Sequence, residues 1–280
     1  MKLGSSDISA VKIGSTDVNK IYIGSTEVWT SFTGLLDTYT GAAAAYSLRL
    51  LRTAYTGDAI EVRRASDNAT QDIGFVNNEL DVTSLESFCS GTNGFVTTWY
   101  DQSGNGNDAT QSTASAQPQI VSSGSVILEN GKPVLQALSN GFLSIALAVE
   151  NIRLYGFYVF NYISSQNSVL FSSGNDYAGL VIPGNTGSIL ARATNNNFYK
   201  NSTSISPIYN RDEMYNAFIN QGLLTWDITT NSGQWVDDFE IGYGSGYYSP
   251  NIQEIIIYNS DQSLNRTGIE TNINDFYSIY

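Results

Sequence analysis

The chain has 280 residues, 41% of them hydrophobic and only 14% charged, and its formal net charge is −13; it is long and apolar enough for a large packed core, and too acidic for nucleic acid or an anionic membrane surface. Its one cysteine, Cys89, excludes an internal disulfide and reads as a buried, inert thiol. With no histidine at all, Ser-His-Asp and Cys-His catalysis and the usual zinc, iron and copper sites are excluded, which leaves carboxylate chemistry and hard cations.

Taken in chain order, the first thirty residues repeat. Lys2-Leu3-Gly4-Ser5-Ser6-Asp7-Ile8 is followed by Lys12-Ile13-Gly14-Ser15-Thr16-Asp17-Val18, and then by Ile21-Tyr22-Ile23-Gly24-Ser25-Thr26-Glu27-Val28-Trp29, a ten-residue period. Each unit reads as a short apolar strand, a Gly-Ser turn and another short strand. One unit cannot bury its apolar face alone, so residues 1–35 are expected to be a repeated β module for attachment or oligomerisation, through Leu3, Ile13, Ile23, Val28 and Trp29. A plain meander packed on the main domain is the alternative. No apolar stretch of the signal-peptide kind follows Met1, and no run is long enough to span a membrane, so the expectation is a protein made in the cytoplasm and not exported by the usual route.

Thr30 to Asp37 reads as a hinge, and residues 36–280 as one domain. Ala43–Leu51 is Ala/Leu-rich and predicts a helix. Strands are expected at Ala59–Arg63, Phe95–Tyr100, Ser125–Leu128, Leu154–Tyr162, Ser168–Ser172, Gly179–Ile182, Gln221–Ile228, Trp235–Tyr243 and Gln253–Tyr258. Thr83–Cys89 suggests a helical turn capped by Thr83 or Ser84, Asn195-Asn196-Asn197 a loop tip, and Leu264–Tyr277 a helix with Ile269, Ile273, Phe276 and Tyr277 on one face. Many short strands broken by turn clusters predict an all-β jelly-roll sandwich with a few short helices, of the concanavalin or laminin-G kind, behind the β-repeat module.

Three stretches carry resemblances. The N-terminal repeats resemble those at the start of bacteriophage virion proteins, including tail and head fibres. The segment from Tyr46 to Gln111 contains Ala65-Ser66-Asp67-Asn68-Ala69-Thr70-Gln71-Asp72-Ile73-Gly74-Phe75. It closes on Trp99-Tyr100-Asp101-Gln102-Ser103-Gly104-Asn105-Gly106-Asn107-Asp108-Ala109, read as a strand followed by a turn in which Gly104 and Gly106 supply positive φ. This segment resembles the catalytic domain of α-L-arabinofuranosidase B, which has a concanavalin-like sandwich fold. The strand Gln253–Tyr258 followed by a helix resembles the end of laminin-G-like domains.

A retaining glycosidase needs two carboxylates about 5 Å apart. The resemblance puts the nucleophile at Gly179, in Gly179-Leu180-Val181-Ile182-Pro183-Gly184-Asn185, and the acid at Tyr243 or Gly244, in Ile241-Gly242-Tyr243-Gly244-Ser245. Neither position carries a carboxylate; Asp176, Asp237 or Asp238 are the stand-ins. The expectation is therefore a non-enzymatic virion structural protein: a fibre, decoration or receptor-binding subunit, a trimer or other homo-oligomer, bound to other virion proteins through residues 1–30. Its sandwich would bind host surface glycan through Tyr243, Tyr247, Tyr248, Trp99 and Asp101. An active arabinofuranosidase-like hydrolase and a ligand-free structural cement are the alternatives. No cofactor is expected. Ca²⁺ on a pair among Asp67, Asp72, Asp101 and Asp108 is weighed against turn-capping by the same residues, which is favoured. Arg63-Arg64 is expected to pair with Asp67 or Asp72.

Overall fold

Strands that must bury one face on a partner explain the whole architecture. The computed structural model describes residues 2–3, 6–7, 11–18, 20–136, 141–145, 153–161, 168–173, 176–181, 193–205, 210–217, 222–230, 239–242 and 250–280. The repeats form three separate two-stranded hairpins, pairing Lys2 with Asp7, Lys12 with Asp17 and Ile23 with Thr26. Gly14 and Gly24 take the positive φ their turns need. Ile13 and Ile23 are 76% and 71% exposed.

The sandwich strands are β1 (Ala44–Ser47), β2 (Ile60–Arg64), β3 (Thr70–Ile73), β4 (Gly94–Trp99), β5 (Ala109–Thr110), β6 (Gln119–Ser122), β7 (Phe142–Ile145), β8 (Arg153–Asn161), β9 (Ser168–Ser173), β10 (Asp176–Val181), β11 (Ala193–Lys200), β12 (Gly222–Thr230), β13 (Phe239–Gly242) and β14 (Asn251–Tyr258). Among the described residues four α-helices accompany them: α1 (Leu35–Thr38), α2 (Val82–Phe88), α3 (Arg211–Ala217) and α4 (Arg266–Tyr277). A ten-stranded sheet runs β6-β4-β5-β7-β13-β9-β10, with β2 beside β4, β3 beside β2 and a short strand at residues 125–126 beside β6. A six-stranded sheet runs β11-β12-β8-β14-β1, with a short strand at residues 203–204 outside β11. The all-β sandwich with a few short helices is therefore what the chain forms.

Burial alternates as strand geometry requires. Tyr158, Phe160, Trp226 and Ile255 of the smaller sheet meet Val62, Val96, Trp99 and Ile145 of the larger one in the central core. Tyr155, Phe157, Val159 and Ile256 point the other way and are covered by Leu35 and Leu36 of α1 and by Ile269, Ile273 and Tyr277 of α4. The smaller sheet is thus buried on both faces, while the outer face of the larger one is left open among the described residues.

Several expectations change. Ala43–Leu51 is not helical: β1 is buried at all four positions, Ala44 and Tyr46 in the central core and Ala45 under α1 and α4. Burial on both faces overrides the helix preference of alanine. Asn195–Asn197 lies inside β11, paired with Ile228 and its neighbours, and is not a loop tip. α2 is capped by Asp81, whose carboxylate accepts from the Ser84 amide, and not by Thr83 or Ser84. At Gly34, just before α1, a Cβ would stand 2.2 Å from the Leu51 carbonyl oxygen, so only glycine fits.

Candidate functional site

The Tyr100–Asp108 turn, the strongest sequence signal, is a structural clasp. Asp101 is 4% exposed, and its carboxylate accepts from the backbone amides of Ala45, Ser103 and Asn107 and from the Ser103 hydroxyl. The Gln102 side chain donates to the carbonyls of Ser47 and Arg49 and accepts from the Leu51 amide. The turn thereby ties the end of β4 to β1 in the opposite sheet, with Gly104 and Gly106 at positive φ. Trp99 is wholly buried between the sheets. Trp99 and Asp101 are therefore not presented to a sugar, which corrects their expected role: the first is core, and the second has spent its oxygens on backbone amides. Tyr243, Tyr247 and Tyr248 lie outside the described residues, as do Asp237 and Asp238. Leu3, Ile13, Ile23, Val28 and Trp29 all fall within the hairpin strands.

The outer face of the larger sheet is polar because directly paired residues share a face. Register sets Asp72 opposite Glu61, Glu61 opposite Thr98, Thr98 opposite Thr110, and Thr110 opposite Ser144. The row continues from Ser144 to Glu240, Ser172 and Tyr177 on β13, β9 and β10. Gly179 is two residues from Tyr177 and falls on this same face. Asp176 pairs with Ser173 and is not a member of this row.

Over β2, β4, β5 and β7 this face forms an open groove of about 610 Å³, lined among others by Glu61, Arg63, Thr98, Thr110, Phe142 and Ser144. Arg63 is held by Gln117 and Asn68, not by an aspartate. Arg64 pairs with Asp67, as expected of one of the two. At the β3 edge of the groove, carboxylates gather round the Tyr100 hydroxyl, which donates to Asp72 at 2.7 Å. Burial, and then the bond to Asp72 with the charges of Asp72, Glu61 and Asp58, pushes the Tyr100 hydroxyl well up. Glu61 accepts from the Thr97 hydroxyl at 2.6 Å. Burial, and after it the Asp72 charge, raises the Asp58 carboxyl. Asp58 and Glu61 were not singled out from the sequence; the alternation Ile60-Glu61-Val62-Arg63 is the signal that sets Glu61 on the open face. Asp67, Asp101 and Asp108 each accept a backbone amide, from Ala69, Ala45 and Asp101 respectively. Among the described residues, no group of three or more His, Cys, Asp or Glu is arranged to hold a metal ion.

A family model described as "Alpha-L-arabinofuranosidase B, catalytic" matches residues 36–167. The domain resembles that catalytic domain. The arabinofuranosidase-like region is 43% identical over 75 residues to a probable alpha-L-arabinofuranosidase B of Aspergillus flavus, and 42% over 74 residues to an alpha-L-arabinofuranosidase of Hypocrea jecorina. Each match takes in 26% of this chain and 15% of the relative, so the chain spans a small part of the curated relatives it matches. A GH54 arabinofuranosidase soaked with a cyclic sulfate inhibitor superposes with a TM-score of 0.53, at 16% identity, over 85% of this chain and 63% of its own. A second arabinofuranosidase, complexed with arabinofuranosyl-alpha-1,2-xylobiose, gives 0.50 at 16% identity over 86% and 64%. Both likenesses are of fold. These matches overturn the expectation of a non-enzymatic bacteriophage structural protein located in a virion: what the domain is similar to are fungal glycoside hydrolases, and the short N-terminal repeats do not outweigh a match that runs through the sandwich.

Proposed function

We propose that this chain is a glycoside hydrolase of the arabinofuranosidase type, with its chemistry in the outer-face groove. The observation that carries this reading is a coincidence of position. The family match runs over residues 36–167, and Asp58, Glu61, Asp72 and Tyr100 all lie within it, the three carboxylates acting on the Tyr100 hydroxyl and Glu61 lining the groove. Hydrolysis needs one carboxyl that keeps a proton for the leaving oxygen and one that is ionised, and environments that push two carboxyls apart identify them. Asp58, raised by burial and by the neighbouring charge, is the acid. Asp72, held by the Tyr100 hydroxyl, is the second carboxyl group, the one that attacks the sugar carbon or activates a water. Glu61, opposite Asp72 in register, lines the groove where the sugar is held. Gly179 and position 243 take no part in this reading.

The test is release of the aryl group from an aryl α-L-arabinofuranoside. The wild-type chain is expected to turn it over, with Asp72→Asn and Asp58→Asn each lowering kcat by on the order of 10³-fold or more. An inactive wild type, or full activity in both variants, refutes the assignment. We also infer that the hairpins of residues 1–30 are a module apart from the sandwich, because each hairpin pairs only with itself among the described residues.

A further inference from the structure

A second pocket lies away from the groove and shares no residue with it. It has a volume of about 130 Å³ and is walled by residues 32–35, by Arg49, by the turn Asn77-Asn78-Glu79 and by Asn272 and Phe276 of α4. At roughly 30 Å³ per water in the liquid, that is space for a ligand of one ring, not a chain.

Its charges are cancelled where they stand. The buried Arg49 guanidinium donates twice to Glu254, at 2.8 and 2.9 Å, and once to Asn272 at 2.9 Å. Glu79 takes Lys132 at 2.9 Å. No net field is left to select an ion. The uncommitted groups are neutral: among the described residues, the amide nitrogens of Asn77, Asn78 and Asn272 have no hydrogen-bond partner. Phe276 supplies an apolar wall, held by Arg49 at 4.9 Å and Lys132 at 4.0 Å from its ring centre.

The two turn asparagines have positive φ, 52° and 65°, in the hairpin pairing Phe75 with Leu80 and Val76 with Glu79. Such a two-residue turn favours glycine at its second position, yet Asn78 stands there, lining the pocket. The backbone is fixed by the Leu50 amide, which donates to the Asn78 carbonyl at 2.8 Å. Rigid, neutral donors and acceptors beside an aromatic wall are what orients a small polar ligand in a pocket.

We propose that this pocket binds a single neutral, polyhydroxylated ring, a monosaccharide unit, independently of the groove. The experiment is protein-observed NMR of the full chain titrated with L-arabinose, D-xylose and D-galactose, following the side-chain amides of Asn77, Asn78 and Asn272. Saturable shifts of these amides with at least one sugar are expected. The Asn77→Gly/Asn78→Gly double variant keeps the backbone conformation that glycine adopts freely and is expected to weaken binding at this site about tenfold or more. Asp72→Asn, which removes the proposed chemistry in the groove, should leave the titration unchanged. Shifts confined to groove residues, no shift with any of the three sugars, or equal binding by a folded double variant would overturn the proposal; a thermal melt of the double variant verifies folding.

Discussion

At Asp101 one carboxylate accepts four hydrogen bonds, three of them from backbone amides, at 2.6 to 3.0 Å. Removing it strands the amide of Ala45 in β1 and two amides of its own turn, so Asp101→Ala is expected to cost about 3 kcal/mol. The urea midpoint should fall with no change in slope. Asp58 gives a pH effect of known sign. Its folded-state carboxyl is raised above the ordinary value of 3.8; the stability it contributes is full below that value and lost as pH rises through the raised one. Asp58→Asn should therefore make the protein more stable at pH 7 than wild type and no more stable at pH 3.5, a difference that paired thermal melts will read. The same substitution removes the proposed acid, so stability and activity should move in opposite directions. The turn around Asp101 was legible as a turn, since Gly and Asx spacing fixes it locally. Its purpose was not, because the amides it satisfies are 56 residues away in sequence for Ala45.

Single elements show where local preference holds and where it yields. α4 was legible because Ile269, Ile273 and Tyr277 recur at helical spacing and all three are buried against the smaller sheet. α2 depends on its cap: the Asp81 carboxylate accepts from the Ser84 hydroxyl at 2.6 Å and the Ser84 amide at 3.0 Å, which lowers its pKa. Asp81→Ala is expected to cost about 1 kcal/mol. That contribution is present above the ordinary value of 3.8 and disappears as pH falls through the lowered one, so wild type and variant should converge in acid denaturation. β1 and β11 were misread for one reason. Alanine and asparagine carry no strand preference, and both segments are strands because their neighbours β14 and β12 supply the ladder.

At the scale of the whole molecule, the described residues cover one sheet on both faces and the other on one. The cover is anchored by Arg49 and Glu254, a buried pair joined by two bonds and touched by the Ser47 and Tyr277 hydroxyls. Glu254→Gln leaves the guanidinium short of its counter-charge and should cost about 3–5 kcal/mol, measured by chemical denaturation. The hairpins have the opposite standing: each is its own two-stranded sheet, with Ile13 and Ile23 largely exposed. Deleting residues 1–30 is expected to leave the melting temperature of the sandwich within about 2 °C of the full chain, since those residues add little to its core. A larger drop would place the hairpins against the sandwich.

By itself the amino-acid order determined the class of fold: alternation and turn residues are local properties, and they specify many short strands wherever the chain goes. It also determined the repeats, the lack of a disulfide within the chain and the restriction of any chemistry to carboxylates, all of which follow from residue types alone. Only the tertiary structure decided which face each strand buries and which carboxylates meet. Asp58, Glu61 and Asp72 come together with Tyr100 because antiparallel register sets β3 beside β2 and β2 beside β4, and register is a property of pairs of strands, not of either strand's sequence.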